Sequence, residues 1–284
     1  MMHHLFDRVI VLLNDLENMD TLLKRGVEFS KKHETSLEVL YVHEEPFFAV
    51  PDFFLSEENR GKVDIDKHKV KEEIQKHLAL FDPDEEHAIL VYIDDTVDRL
   101  LTYVKDVERT LVITNYHKSI TTSLMEKTSY SFWINKGVHD VYSNIVFPSN
   151  LKEESKTCIA ATQHIFPDSK LSLVYDYRYL LDVLAVREDY LNVVPVTTGI
   201  DYKLDKELKA QNEKTLESYK KEFNVEGKFI EGEGLLHEDL MAYIKENSFD
   251  LTVLYHSDEE LFFSPVLILM LLEGLDTDFF ICKR

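Results

Sequence analysis

The triplet His256-Ser257-Asp258 brings together the residue types of a hydrolytic triad, but neighbours in sequence do not face one another and a triad is assembled from separate segments. It predicts no catalysis. His-Glu pairs occur at His33, His43 and His237, yet the residues four positions on are Leu37, Phe47 and Met241, so no metal-binding His-Glu-x-x-His helix exists. No metal is predicted. The two cysteines, Cys158 and Cys282, are too few for a disulfide framework or a zinc site of four clustered ligands. Cys158 sits beside Ile159 and Ala160 on a predicted helix, Lys152–His164, and reads as a core thiol. Gly232-Glu-Gly234 reads as a turn leading into a helix.

One segment has the position, though not the composition, of a phosphate cradle. Thr114–Thr128 follows the apolar run Leu111-Val112-Ile113 and contains no glycine, the residue that lets backbone N–H groups close on a phosphate after such a strand. Lys118, Ser119, Thr121, Thr122, Ser123, Lys127 and Thr128 could instead hold a small anion with side chains, and a polar loop capped by Ser123 accounts for the same residues.

The elements that must position these residues occur twice. Val9–Asn14 matches Asn144–Asn150, with the closing asparagines, Asn14 and Asn150, 136 positions apart; Leu37–Val42 matches Leu171–Asp176 at an offset of 134. Leu100-Leu-Thr-Tyr-Val-Lys-Asp106 matches Leu240-Met-Ala-Tyr-Ile-Lys-Glu246, and Leu111-Val-Ile113 matches Leu251-Thr-Val253, both at 140. Each copy alternates strand and helix, which predicts an α/β fold of two tandem open parallel-sheet, Rossmann-like domains, 1–142 and 143–284. Val70, Ile74, Leu78 and Phe81 form one stripe of a helix over Asp66–Phe81, and Leu204, Leu208, Leu216, Tyr219 and Phe223 form another, both core faces. Irregular stretches are expected at Glu44–Lys62 and Tyr179–Tyr202, longer than ordinary α/β connections, as sheet-edge flaps or functional lids. Phe47, Phe48, Phe53 and Phe54 in the first are the surface an unknown protein partner would use. A fifth strand, Asp278–Cys282, closes copy two. Copy one reads as helix Ser123–Trp133 and then Asn135–Tyr142, so its fifth strand is expected to be missing or reduced to a stub at Val138–Tyr142.

Charge narrows the partners. The 284 residues carry 32 Lys+Arg against 53 Asp+Glu, a formal charge of −21. Residues 1–142 hold 17 basic and 27 acidic side chains and residues 143–284 hold 15 and 26, so the acidity is spread evenly. Such a chain repels phosphate backbones and anionic lipid, which argues against nucleic-acid and membrane partners. The longest apolar run, Val266–Leu272, is far below the roughly 20 residues of a membrane span, and the N-terminus enters strand-like sequence without a targeting pattern; a reducing cytoplasm is expected.

Taken together, these residues resemble the universal stress proteins in their tandem, adenine-nucleotide α-hydrolase-like form. Ile145-Val-Phe-Pro-Ser-Asn150 is similar to that family's first strand, proline included, and Leu37-Glu-Val-Leu-Tyr-Val-His-Glu-Glu-Pro46 to its second strand and acidic-proline turn. The resemblance implies a regulatory or protective binding protein rather than an enzyme, paired as a pseudo-dimer within the chain, with a homodimer also open. ATP-binding members carry Gly-x-x-Gly, nine residues, then Gly-Ser or Gly-Thr. Here copy one has Thr114-x-x-His117, nine residues, then Lys127-Thr128, so only Thr128 matches. Copy two has Tyr255-x-x-Asp258, only four residues, then Phe263-Ser264, with Asp258, Glu259 and Glu260 where phosphates would lie. The family's strand-one aspartate falls on Asn14 and Asn150, neither able to supply a charged cation ligand. The motif is degenerate, and no nucleotide cofactor is expected. Any residual site, serving an adenine-nucleotide switch or weak ATPase, is expected where strands one and four end, lined by Asn14, Asn115, Lys118, Lys127 and Thr128, with Asn150 the counterpart in copy two.

Overall fold

Arg8–Leu13 (β1) is an unbroken run of buried side chains rich in β-branched residues, the pattern of a strand covered on both faces. In the computed structural model, which describes residues 5–44, 65–104, 109–137, 139–177, 198–231, 238–256 and 265–283 (backbone only for 198–205 and 265–267), that strand is central to the first of two compact units, Met1–Gly137 and Val138–Arg284.

The first unit continues with α1 (Met19–His33), β2 (Ser36–His43), α2 (Lys67–Phe81), β3 (Ala88–Ile93), α3 (Thr96–Val104), β4 (Thr110–Asn115), α4 (Lys118–Lys127) and β5 (Ser131–Asn135). Its strands are parallel, in the order β3-β2-β1-β4-β5. Helix α1 lies so close to the sheet that a Cβ on Gly26 would stand 2.5 Å from Val11 Cγ2. Helix α2 starts at Asp66, whose carboxylate accepts from the N–H groups of His68 and Lys69, and it buries Val70, Ile74 and Leu78 on the expected stripe.

The second unit runs β6 (Asn144–Pro148), α5 (Glu153–Ile165), β7 (Lys170–Asp176), α6 (Thr198–Phe223), β8 (Glu226–Ile230), α7 (Glu238–Glu246), β9 (Leu251–His256), α8 (Pro265–Gly274) and β10 (Asp278–Lys283). Its strands are again parallel, ordered β8-β7-β6-β9-β10. Register follows suit: Val9 pairs with Leu37 and Leu111 in the first unit, as Ile145 pairs with Leu171 and Leu251 in the second. Large side chains such as Phe147, Phe279, Phe280 and Tyr175 are fully buried here, each fixing the sheet by about 2–3 kcal/mol of apolar burial. Among the described residues no helix is long and apolar enough to cross a membrane.

Three expectations are corrected. The first unit does have a fifth strand, Ser131–Asn135, in the stretch read as the end of a helix; Phe132, Trp133 and Ile134 are all buried, which a one-faced helix would not achieve. Helix α4 ends before it, at Lys127, where Thr128 donates both its N–H and its hydroxyl to the Leu124 carbonyl. The helix also begins at Lys118 with His117 as its N-cap, so Ser123 is interior to it rather than a cap. Residues Thr198–Tyr202, read as irregular, already belong to α6. The aromatic flap Phe47, Phe48, Phe53 and Phe54, residues 178–197, Gly232-Glu-Gly234 and the acidic run Asp258–Glu260 lie outside the described residues.

Candidate functional site

In an open parallel sheet a ligand crevice forms beyond the carboxyl ends of the strands where the winding direction reverses, here at β1 and β4 in the first unit and β6 and β9 in the second.

In the first unit β1 delivers Asn14, half-buried, into this crevice. Its Nδ2 donates to Thr96 Oγ1 at 2.6 Å and lies 3.5 Å from the Val42 carbonyl, so the side chain ties β1 to the end of β2 and the start of α3. Asn115, at the end of β4, accepts from Asn135 Nδ2 at 2.8 Å. Asn135 Oδ1 in turn accepts from Arg25 Nη1 at 2.8 Å, and the Arg25 guanidinium lies over the Trp133 ring at 5.5 Å. Arg25 is 5% exposed, a buried cation held by an amide and an aromatic face, reaching from α1 to β5. At the mouth of the crevice Asp15 lies 3.8 Å from the His117 ring. Its carboxylate adds to burial in pushing the Tyr41 phenol up. A carboxylate of the β1–α1 turn thus faces the residue that precedes α4.

Helix α4 divides the expected ligand set. Lys118 is exposed at its first turn, beside the crevice, whereas Lys127 and Thr128 lie at its other end, about 15 Å away by helix rise. Three of the five hydroxyls expected to bind an anion serve the helix itself. Thr121 Oγ1 accepts from the His117 N–H at 3.3 Å, Thr122 donates to the Lys118 carbonyl at 2.6 Å, and Thr128 donates to Leu124. Asn14 and Asn115 thus sit at the ends of the adjacent strands β1 and β4 and Lys118 opens α4, whereas Lys127 and Thr128 lie at the far end of that helix.

In the second unit the corresponding asparagine has another task. Asn150 is buried and its Oδ1 accepts from the Lys152 N–H at 3.0 Å, while Ser149 Oγ accepts from the Leu151 N–H at 3.0 Å. These bonds hold a tight turn in which Leu151 takes a left-handed φ of 56°.

Sequence reasoning passed over Arg25, Thr96 and Asn135. Only Arg25 left a signal, a charge at core spacing among Leu22, Val27 and Phe29 on the buried face of α1. It also missed one group of metal-ligand type, Asp82, Glu85 and His87, whose ligand atoms lie within 4.8 Å of one another in the run Asp82-Pro-Asp-Glu-Glu-His87. There Lys31 Nζ lies 2.9 Å from Asp82 Oδ1 and His87 Nε2 3.1 Å from Oδ2. Lys31, then His87, holds the Asp82 carboxyl below its usual range, as in a structural ion cluster joining α1 to the α2–β3 turn.

No family model matches the chain, and neither does any curated protein. Solved structures do. A universal stress protein from Archaeoglobus fulgidus DSM 4304 superposes with a TM-score of 0.56 at 11% identity, over 99% of this chain and 98% of that one. A putative universal stress protein from Pseudomonas aeruginosa UCBPP-PA14 superposes with a TM-score of 0.59 at 10% identity, over 98% of this chain and 93% of that one. Across nearly its whole length, then, the chain has the α/β fold of universal stress proteins.

Proposed function

We propose that the chain is a tandem universal-stress-type protein that acts by regulatory or protective binding, without turnover, and that neither of its copies binds ATP. The observation that carries this reading is the state of the β4–α4 junction. Where a glycine loop would wrap phosphates, an α-helix starts three residues after the strand, and its threonine hydroxyls bond its own backbone. Asn14, at the position of the family's strand-one aspartate, already donates to Thr96. Asp15 adds a negative charge at the mouth. The matching strand order and cross-strand register of the two units support their reading as two copies of one domain.

A second reading keeps one adenine-nucleotide site in the first unit. The N-terminus of α4, where His117 makes no side-chain cap, favours it together with Asn14, Asn115 and Lys118. Mass spectrometry of small molecules released by heating natively purified protein separates the two readings. An empty protein supports loss of the site, and near-stoichiometric adenine nucleotide supports a retained switch.

A further inference from the structure

The two cysteines of this chain are 124 positions apart, yet the fold of the second unit brings them together. Helix α5 turns Ser155, Cys158, Ile159, Thr162 and Ile165 inward, and Cys158 is 1% exposed. Strand β10 alternates Phe279 and Ile281 on one face with Phe280 and Cys282 on the other. The second of these faces meets α5: the ring of Phe166, which caps α5, stands edge-on to Phe280 at 6.1 Å. Further along the same contact Cys158 faces Cys282, whose side chain adds to burial in pushing the Cys158 thiol up. Both are free thiols, and Cys282 is partly exposed where Cys158 is not.

We propose that Cys158 and Cys282 form a peroxide-sensitive dithiol that closes to a disulfide between α5 and the last strand. The inference does not depend on the nucleotide reading above. Cys282 is the entry point, because a hydroperoxide can reach it. Its thiolate sulfur attacks one peroxide oxygen; an S–O bond forms, the O–O bond breaks and water departs, leaving a sulfenic acid. Cys158 sulfur then attacks Cys282 sulfur; the S–S bond forms, the S–O bond breaks, and hydroxide leaves with the Cys158 proton as a second water. Two thiols and one hydrogen peroxide give one disulfide and two waters. Burial shields Cys158 from direct oxidation and, by pushing its thiol up, makes its attack on the Cys282 sulfenic acid the slow step.

The test is peroxide treatment of the full reduced chain, followed by alkylation, intact mass measurement and peptide mapping without reduction. The expected result is loss of two hydrogens, a Cys158–Cys282 linked peptide, a higher thermal midpoint, and reversal of all three by dithiothreitol. The Cys158→Ala variant should stop at a Cys282 sulfenic acid that a 1,3-dione probe traps, whereas Cys282→Ser should leave Cys158 reduced and open to alkylation after unfolding. The proposal is overturned by Cys282 advancing to sulfinic or sulfonic acid while Cys158 stays free, by Cys282 disulfides between chains, or by both thiols surviving peroxide that consumes a free-cysteine peptide.

Discussion

Asn14 and Asn150 follow equivalent strands in the two units and are the same residue, yet one bonds a distant side chain and the other its own turn. Asn14 donates through Nδ2 to Thr96, 82 positions away, and so joins β1 to α3. Asn150 accepts through Oδ1 from Lys152, two positions away, and so shapes a local turn. The first unit builds its carboxyl edge from bonds between distant side chains, Asn14–Thr96 and Arg25–Asn135–Asn115. After β6 the second uses the Ser149–Lys152 turn, with Asn212 donating to Tyr175 at the end of β7. The lesson is that an aligned residue type does not carry an aligned role; the partner it meets decides.

The largest expected effect tests the long-range network. Arg25→Ala removes the donor to Asn135 and the cation over Trp133 and opens space under α1, so stability to urea should fall by about 2–4 kcal/mol. A loss within experimental error would mean the guanidinium contributes nothing net.

The sharpest test exchanges the amide for a carboxylate at both asparagines. Asn14→Asp deletes the donor to Thr96 and sets a carboxylate near the Val42 carbonyl, with an expected cost of about 1–3 kcal/mol. Asn150→Asp keeps an acceptor for the Lys152 N–H and should cost less than Asn14→Asp. Equal costs would dissolve the contrast between the units.

A smaller contrast lies in the aligned pair Tyr103 and Tyr243. Tyr103 donates to Glu38 at 2.5 Å and carries the Arg8 guanidinium over its ring at 4.6 Å. Burial first, then Glu38, pushes its phenol up to about 12. The Tyr243 phenol is raised by burial and by Glu226. Tyr103→Phe should cost about 1 kcal/mol and Tyr243→Phe less. Because the folded pKa of Tyr103 lies above the unfolded value near 10, its contribution is complete below about pH 10 and is lost as pH rises toward 12. Unfolding midpoints should therefore fall more steeply for the parent than for Tyr103→Phe across that window.

How much of this was legible follows from the range of each interaction. Strands such as Val9–Leu13 announce themselves by a continuous apolar run, and α2 by its stripe. The α4–β5 region was misread because Leu124, Met125, Phe132 and Trp133 recur at seven- and eight-residue spacing, which mimics one helix face. The break at Thr128 and the two-sided burial of Ser131–Asn135 appear only once β4 is beside them. Topology names the strand ends where the order reverses, but not the side-chain partners found there. Asn14 meets Thr96, and Arg25 meets Asn135, through pairings set by the whole sheet rather than by neighbouring residues.

The most direct measurement of the central claim is calorimetric titration of the parent chain with Mg-ATP and with ADP, repeated on Asn14→Asp. The account predicts no binding heat from the parent, and none from the variant either, since a restored carboxylate leaves α4 and Asp15 in the way of the phosphates. Saturable, one-to-one binding by the parent would contradict it and make the first unit a working nucleotide site.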